Sequence, residues 1–173
     1  NDCFRSGCPQ IEANFDENFY SRPEIDPAYN TIAYLCLSEV TLQKIAEANN
    51  QNNQNNLPNQ AIEPKYDLCL MDMNSEQQQV FSLPTSITNF QWSNNGDKIA
   101  AAVMGQKLVL LEKVNDSLEV KKAFLNSGPY ASFKIIKWSP NDDQILISNA
   151  YAFRLVDISS SEVSKPSNDG YVF

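Results

Sequence analysis

The most informative reactive side chain is one the chain lacks: its 173 residues contain no histidine. That removes the usual general base, the usual activator of a serine or cysteine nucleophile, and the commonest metal ligand. Carboxylate pairs and a lysine base survive the argument, but a conventional triad inside this chain does not. The serines also lack the strand–turn–helix setting of a nucleophile elbow. The sequence therefore predicts no enzyme, and no residue is assigned a catalytic, cofactor-binding or metal-binding role.

The four cysteines fall into two pairs. Cys3 and Cys8 are close enough to bridge a small loop or to form half of a metal site. Without histidine, only Cys36 and Cys69 could add further sulfur ligands. Those two lie in the apolar runs YLCLS and DLCLM, where a buried free thiol behaves as a small hydrophobe. All four are read as reduced or structural, and unpaired strand cysteines together with a single glycosylation sequon point to a reducing compartment, cytoplasmic or nuclear.

Three further constellations are weak. Asn141, Asp142 and Asp143 make a plausible cation-binding turn, although turns rich in Asx residues more often cap their own backbone. SGPY, Ser127 to Tyr130, has a single glycine and lacks the successive free amides of a phosphate loop. Asn115-Asp116-Ser117 matches the N-glycosylation sequon, and an isolated match is close to what chance provides.

Charge narrows the partners. With 13 basic against 21 acidic residues, the net charge of -8 repels phosphate backbones, so nucleic acid is not an expected direct partner. Half of that excess lies in the first 30 residues, which also carry Phe15, Phe19, Tyr20 and Tyr29. An acidic segment studded with aromatics suits a basic, apolar groove on another protein, and Phe15, Phe19 and Tyr20 are its candidate anchors. The bland alternative is a solvated lead-in to the first folded unit. No apolar run approaches the roughly 18 residues of a membrane span. A chain that begins at Asn1 neither displays nor excludes a removed leader, and an excerpt of a longer protein explains that start equally well.

These groups are positioned by repeats. FQWSNNGDKIA, from Phe90, returns as IKWSPNDDQIL, from Ile136, with Trp92 and Trp138 46 residues apart. The runs LCLMD, LVLLE and FRLVD end at Asp72, Glu112 and Asp157, at intervals of 40 and 45 residues. Within the second copy, ITNFQW, KIAAAVM, KLVLLE and LEVKKAFL each have strand length and composition, separated by Gly, Asn, Asp or Ser. The first copy is split by an insertion of roughly 27 residues, at about 39–65, holding VTLQKIAEA and NNQNNQNNLPNQ. The first piece predicts a short helix with Val40, Ile45 and Leu42 on one face. The Asn/Gln tract, Asn49 to Gln60, predicts a mobile surface loop, since it buries too little apolar area to offset its ordering entropy.

Four-stranded units of about 40 to 45 residues describe the blades of a β-propeller. WSNNGDKIAA and WSPNDDQILI resemble the stretch between the first two strands of a WD40 blade, and LCLMD, LVLLE and FRLVD resemble its third strand. The resemblance covers about 30–160 and departs from the family in lacking the Gly-His pair and the terminal tryptophan, so the family's internal hydrogen-bond tetrad cannot form. The same repeats are also similar to TolB-like propellers and to the propeller domain of prolyl-oligopeptidase-type hydrolases.

The expected fold is thus all-β: an acidic aromatic lead-in at 1–29 or, alternatively, strands of a preceding blade there, blades at 30–85 and 86–126, a complete or incomplete blade at 127–173, and further blades from the same or another polypeptide. The WD40-like resemblance implies a non-enzymatic interaction scaffold in a hetero-complex, with other proteins as partners and no cofactor. The TolB-like and hydrolase resemblance implies gating or docking of peptide substrates. Trp92, Trp138, Asp72, Glu112 and Asp157 recur and are assigned to the fold, whereas Asn95, Asp97, Asp142 and Asp143 in the turns are candidate protein-binding residues alongside the 126–132 loop.

Overall fold

The computed structural model describes residues 22–28, 30–55, 62–105, 107–115, 117–125, 135–148 and 153–160. They form eleven strands and one helix: β1 (Glu24–Ile25), β2 (Thr31–Leu37), α1 (Glu39–Asn55), β3 (Tyr66–Asp72), β4 (Gln78–Phe81), β5 (Ile87–Trp92), β6 (Lys98–Val103), β7 (Lys107–Val114), β8 (Ser117–Leu125), β9 (Ile135–Trp138), β10 (Gln144–Ser148) and β11 (Phe153–Asp157). The strands make three antiparallel sheets, in the orders β1-β2-β3-β4, β5-β6-β7-β8 and β9-β10-β11. Every neighbour in a sheet is also the neighbour in sequence, so each sheet is a meander, with the α1 insertion between β2 and β3. The protein is mostly β, as the short runs bounded by turn residues predict.

The middle sheet explains why its strands are apolar at successive positions. Side chains alternate between the two faces of a strand, and on β6 the residues Ile99, Ala101 and Val103 pack into one core with Ala33, Leu68 and Leu70 of the first sheet. Ala100 and Ala102 point the other way, into a second core with Ile136, Ile145, Ile147 and Val156 of the third sheet. β7 divides likewise, with Val109 and Leu111 on one side and Leu108 and Leu110 on the other. A sheet covered on both faces needs no polar alternation. Small alanines on β6 let flanking side chains interdigitate at native packing density.

The outer face of the first sheet is only partly covered. Ile25 and Val80 there are 48% and 59% exposed.

Two expectations about the insertion are corrected. The helix does not stop with VTLQKIAEA but runs to Asn55, through the first part of the Asn/Gln tract. Once a helix is nucleated, each further residue adds a hydrogen bond at low cost, so the helix carries the asparagines of the tract, weak helix formers, together with the better formers Gln51 and Gln54. The rest of the tract, 56–61, lies outside the described residues. Val40, Leu42 and Ile45 are all exposed, and the buried contact of the helix is made by Thr41.

Polar bonds hold the insertion to the sheet. Ser38 caps α1, its hydroxyl accepting the Thr41 N–H at 3.3 Å and its carbonyl the Leu42 N–H at 3.0 Å. The two feet of the insertion are stitched by Ser38 N–H to Lys65 O (2.9 Å) and Lys65 N–H to Thr41 Oγ1 (2.9 Å).

Candidate interaction site

One turn is built three times. Ser93 ends β5, and its N–H donates to Lys98 O at 2.9 Å while its hydroxyl accepts the Lys98 N–H at 3.0 Å. Ser139 does the same with Gln144, at 2.9 Å for both bonds. Asp26, after β1, repeats both with Thr31: its N–H reaches Thr31 O at 2.9 Å and its Oδ1 accepts the Thr31 N–H at 3.0 Å. In each case a short acceptor side chain replaces the ladder partner that the reversing chain withdraws.

The turns also touch. Asp142 in the third accepts the Asn94 N–H (2.9 Å) and Asn94 Nδ2 (2.7 Å) on one carboxylate oxygen and the Asn95 N–H (2.9 Å) on the other. Gly96 has φ +75°, and a Cβ there would lie 3.0 Å from Cδ of Pro27 in the first turn. Gly96 and Asp142 occupy the same position of the turn, and both have positive φ.

The candidate protein-binding side chains of these turns are therefore engaged within the chain. Asn95 Oδ1 accepts the Ser93 hydroxyl at 2.8 Å; Asp97 accepts the same hydroxyl at 3.2 Å and pairs with Lys98; Asp143 accepts the Ser139 hydroxyl at 2.7 Å and Asn141 Nδ2 at 2.8 Å. Among the described residues no group of three or more acidic or sulfur side chains is placed to hold a metal. Phe15, Phe19, Tyr20 and the 126–132 loop lie outside the described residues, as do Cys3 and Cys8.

The recurring acids of the third strands, Asp72, Glu112 and Asp157, sit at the same end of the sheets. Asp72 Oδ1 accepts the Ser75 N–H (2.7 Å), the Ser75 hydroxyl (3.0 Å) and the Asn74 N–H (2.9 Å), which together hold its pKa below the ordinary value. Asp157 is the same cap: bonds from the Ser160 N–H, the Ser159 hydroxyl and the Ser160 hydroxyl lower its pKa to about 2. Glu112 instead pairs with Lys121 at 2.8 Å. After each acid the next N–H, from Met73, Lys113 and Ile158, donates to Asn30 O, Asp97 O and Asp143 O respectively.

The residues before each first turn are equivalent too, and they join the first strands of the three sheets. Glu24 accepts the Trp92 N–H at 3.1 Å, and Gln91 O accepts Trp138 Nε1 at 3.2 Å. With its carboxamide turned to satisfy both ends, Gln91 also donates to Ile136 O and accepts Lys137 Nζ at 2.8 Å. Burial raises the Glu24 pKa, against the lowering effect of the Trp92 N–H and Lys137. The two tryptophans differ: Trp92 is buried, and its Nε1 has no hydrogen-bond partner among the described residues.

A cleft of about 170 Å³ lies between the first two sheets, lined by Thr31, Leu70, Asp72, Ser75, Gln77, Gln79 and Lys113. In the register, Gln79 pairs with Leu70 as Lys122 pairs with Leu110. At the neighbouring interface Lys122 donates to Ile158 O at 2.8 Å.

Cys36 and Cys69 correct the reading of unpaired thiols: they are disulfide-bonded, with Cα atoms 5.9 Å apart. Cys36 stands opposite Asp67 and Cys69 opposite Tyr34, so the bond runs diagonally across the β2–β3 ladder. The spacing of 33 residues spans the insertion, which hid from the linear sequence that the two positions are neighbours. One of the two grounds for a reducing compartment, the unpaired strand cysteines, is thereby removed.

No protein-family model matches the chain, and no curated protein is significantly similar to it in sequence. No helix among the described residues is long and apolar enough to cross a membrane.

Proposed function

We propose that the chain is part of a WD40-like β-propeller and acts as a non-enzymatic scaffold that holds other proteins within a larger assembly. The observation that carries the reading is the threefold recurrence of one turn, with the same two bonds, at Asp26, Ser93 and Ser139. Three sheets that share this turn, follow one another in the chain and pack face to face are copies of one unit. Repeating units of this length are the building blocks of propellers, which use 4 to 8 of them. Further units come from the same or another polypeptide.

A stack that brings its three like turns together at one end suits recognition by loops on a fixed frame. With a net charge of -8, the partners are proteins with basic surfaces. The absence of histidine supports a role without turnover.

The test is to isolate the assembly from its source cells through a tag on the full chain, determine its composition and image it by cryo-electron microscopy. The expected result is a closed ring containing the three described sheets side by side, a bound protein in fixed ratio, and no peptide hydrolysis. An open stack without further four-stranded units overturns the propeller. Turnover of a proline-containing peptide by a hydrolase domain in the same assembly overturns the scaffold in favour of substrate gating.

A further inference from the structure

Two features that the scaffold does not use point in one direction. The first is the Cys36–Cys69 bond, since disulfides persist in oxidising compartments and are rare where thiols are kept reduced. The second is the chain's single Asn-x-Ser/Thr sequon, Asn115-Asp116-Ser117. A sequon buried in a sheet could not be used, but this one is at the tip of the β7–β8 hairpin. Val114 and Ser117 form the last pair of the ladder, and Asn115 follows with φ 47°, exposed, in a turn. Asparagine is among the few residues that adopt this left-handed geometry readily. The Ser117 hydroxyl is also exposed, donating to Val114 O at 2.9 Å. Among the described residues the Asn115 carboxamide makes no hydrogen bond, and the residue is exposed; Asp116 lies outside the described residues.

We infer that Asn115 is an N-glycosylation site of a chain that folds in an oxidising secretory compartment. The donor class is an oligosaccharide linked through diphosphate to a polyprenol. Asn115 Nδ2 attacks C1 of the first sugar and the C–N bond forms. The C1–O bond to diphosphate breaks, the polyprenyl diphosphate leaves with the bonding pair, and one amide proton passes to a base of the transferase. In the same compartment Cys36 and Cys69 give two electrons and two protons to an oxidised protein disulfide, which becomes a dithiol. The inference is independent of the scaffold reading, because neither step requires a propeller.

The experiment takes the full chain from its source cells, alkylates free thiols before any reduction, and maps its peptides by mass spectrometry. The expected map joins the Cys36 and Cys69 peptides and shows the Asn115 peptide heavier by a glycan, which a glycan-releasing amidase removes while converting Asn115 to Asp. Expressed in the same cells, Ser117→Ala loses the whole glycan mass and Ser117→Thr keeps it. Unmodified Asn115 in material whose Cys36–Cys69 bond is intact overturns the inference. Alkylation of both cysteines as free thiols overturns it as well, as does a glycan that survives Ser117→Ala.

Discussion

Asp142 grips the backbone of a different sheet: its two carboxylate oxygens accept the N–H groups of Asn94 and Asn95, each at 2.9 Å, across 48 and 47 residues of sequence. Asp142→Asn keeps one acceptor and turns an amide donor toward the other N–H, which costs about 1 kcal/mol for the lost bond. Asn94→Ala removes the reciprocal contacts. Urea denaturation of both single variants and of the pair should show coupling above about 0.5 kcal/mol, whereas neighbours that merely sit close add independently. Additive losses would show that the two turns do not hold each other.

Gly96 carries the matching contact with the first sheet. An alanine there combines φ +75° with a Cβ 3.0 Å from the stiff ring of Pro27. The left-handed backbone alone costs about 1 to 2 kcal/mol. Gly96→Ala should lower stability by at least that much, and Pro27→Ala in the same chain should recover part of it. If Pro27→Ala recovers nothing, the loss comes from the backbone and the two turns do not press on each other.

Acid should remove stability through the two capping aspartates. Both have folded pKa values below the unfolded value, Asp157 at about 2. Between the two values the unfolded chain binds more protons, so stability rises with pH in that window. Their contribution is present above about pH 4 and is lost as pH falls towards 2. Asp157→Asn should flatten this part of the melting-temperature profile. An unchanged slope would mean that the caps do not form in solution.

Glu24 has the opposite sign. Its folded pKa is raised, so the folded state binds more protons than the unfolded chain, and stability falls as pH rises through the shifted range above 4.5. Glu24→Gln keeps an oxygen for the Trp92 N–H and removes the charge. It should leave a flatter stability profile from pH 5 to 7 than the parent chain. A steeper profile, or a lower stability at pH 7, would show that the Lys137 attraction outweighs burial.

The Cys36–Cys69 bond closes a loop around the insertion. Loop-closure entropy puts its contribution at about 3 to 4 kcal/mol. Cys36→Ala with Cys69→Ala should lower the unfolding free energy by that order in guanidinium titration. Equal stability with and without the pair would mean that the unfolded chain is not constrained by this bond.

What could be read from the residues alone was whatever local chemistry dictates. Short apolar runs bounded by Asn, Asp, Gly and Ser set the strands, so β5, β7 and β10 start where the sequence places them. The WSNNGD and WSPNDD phrases marked two copies of the turn because tryptophan and serine announce them. The third copy, Asp26 to Thr31, carries the same two bonds with aspartate in place of serine and no tryptophan before it, and so escaped notice. Its strand β1 pairs with β2 in the first sheet. Three other features depend on contacts between residues distant in sequence, which no local pattern encodes. The pairing of Cys36 with Cys69 needed the β2–β3 register, which the insertion conceals. The clamp that Asp142 makes on the turn of the second sheet needed the third sheet laid against the second. The extension of α1 into the Asn/Gln tract needed a nucleus, supplied where Ser38 caps the helix and Thr41 seats it against Lys65. Local propensity decides which segments are strands, and packing decides which polar groups are still free to do anything else.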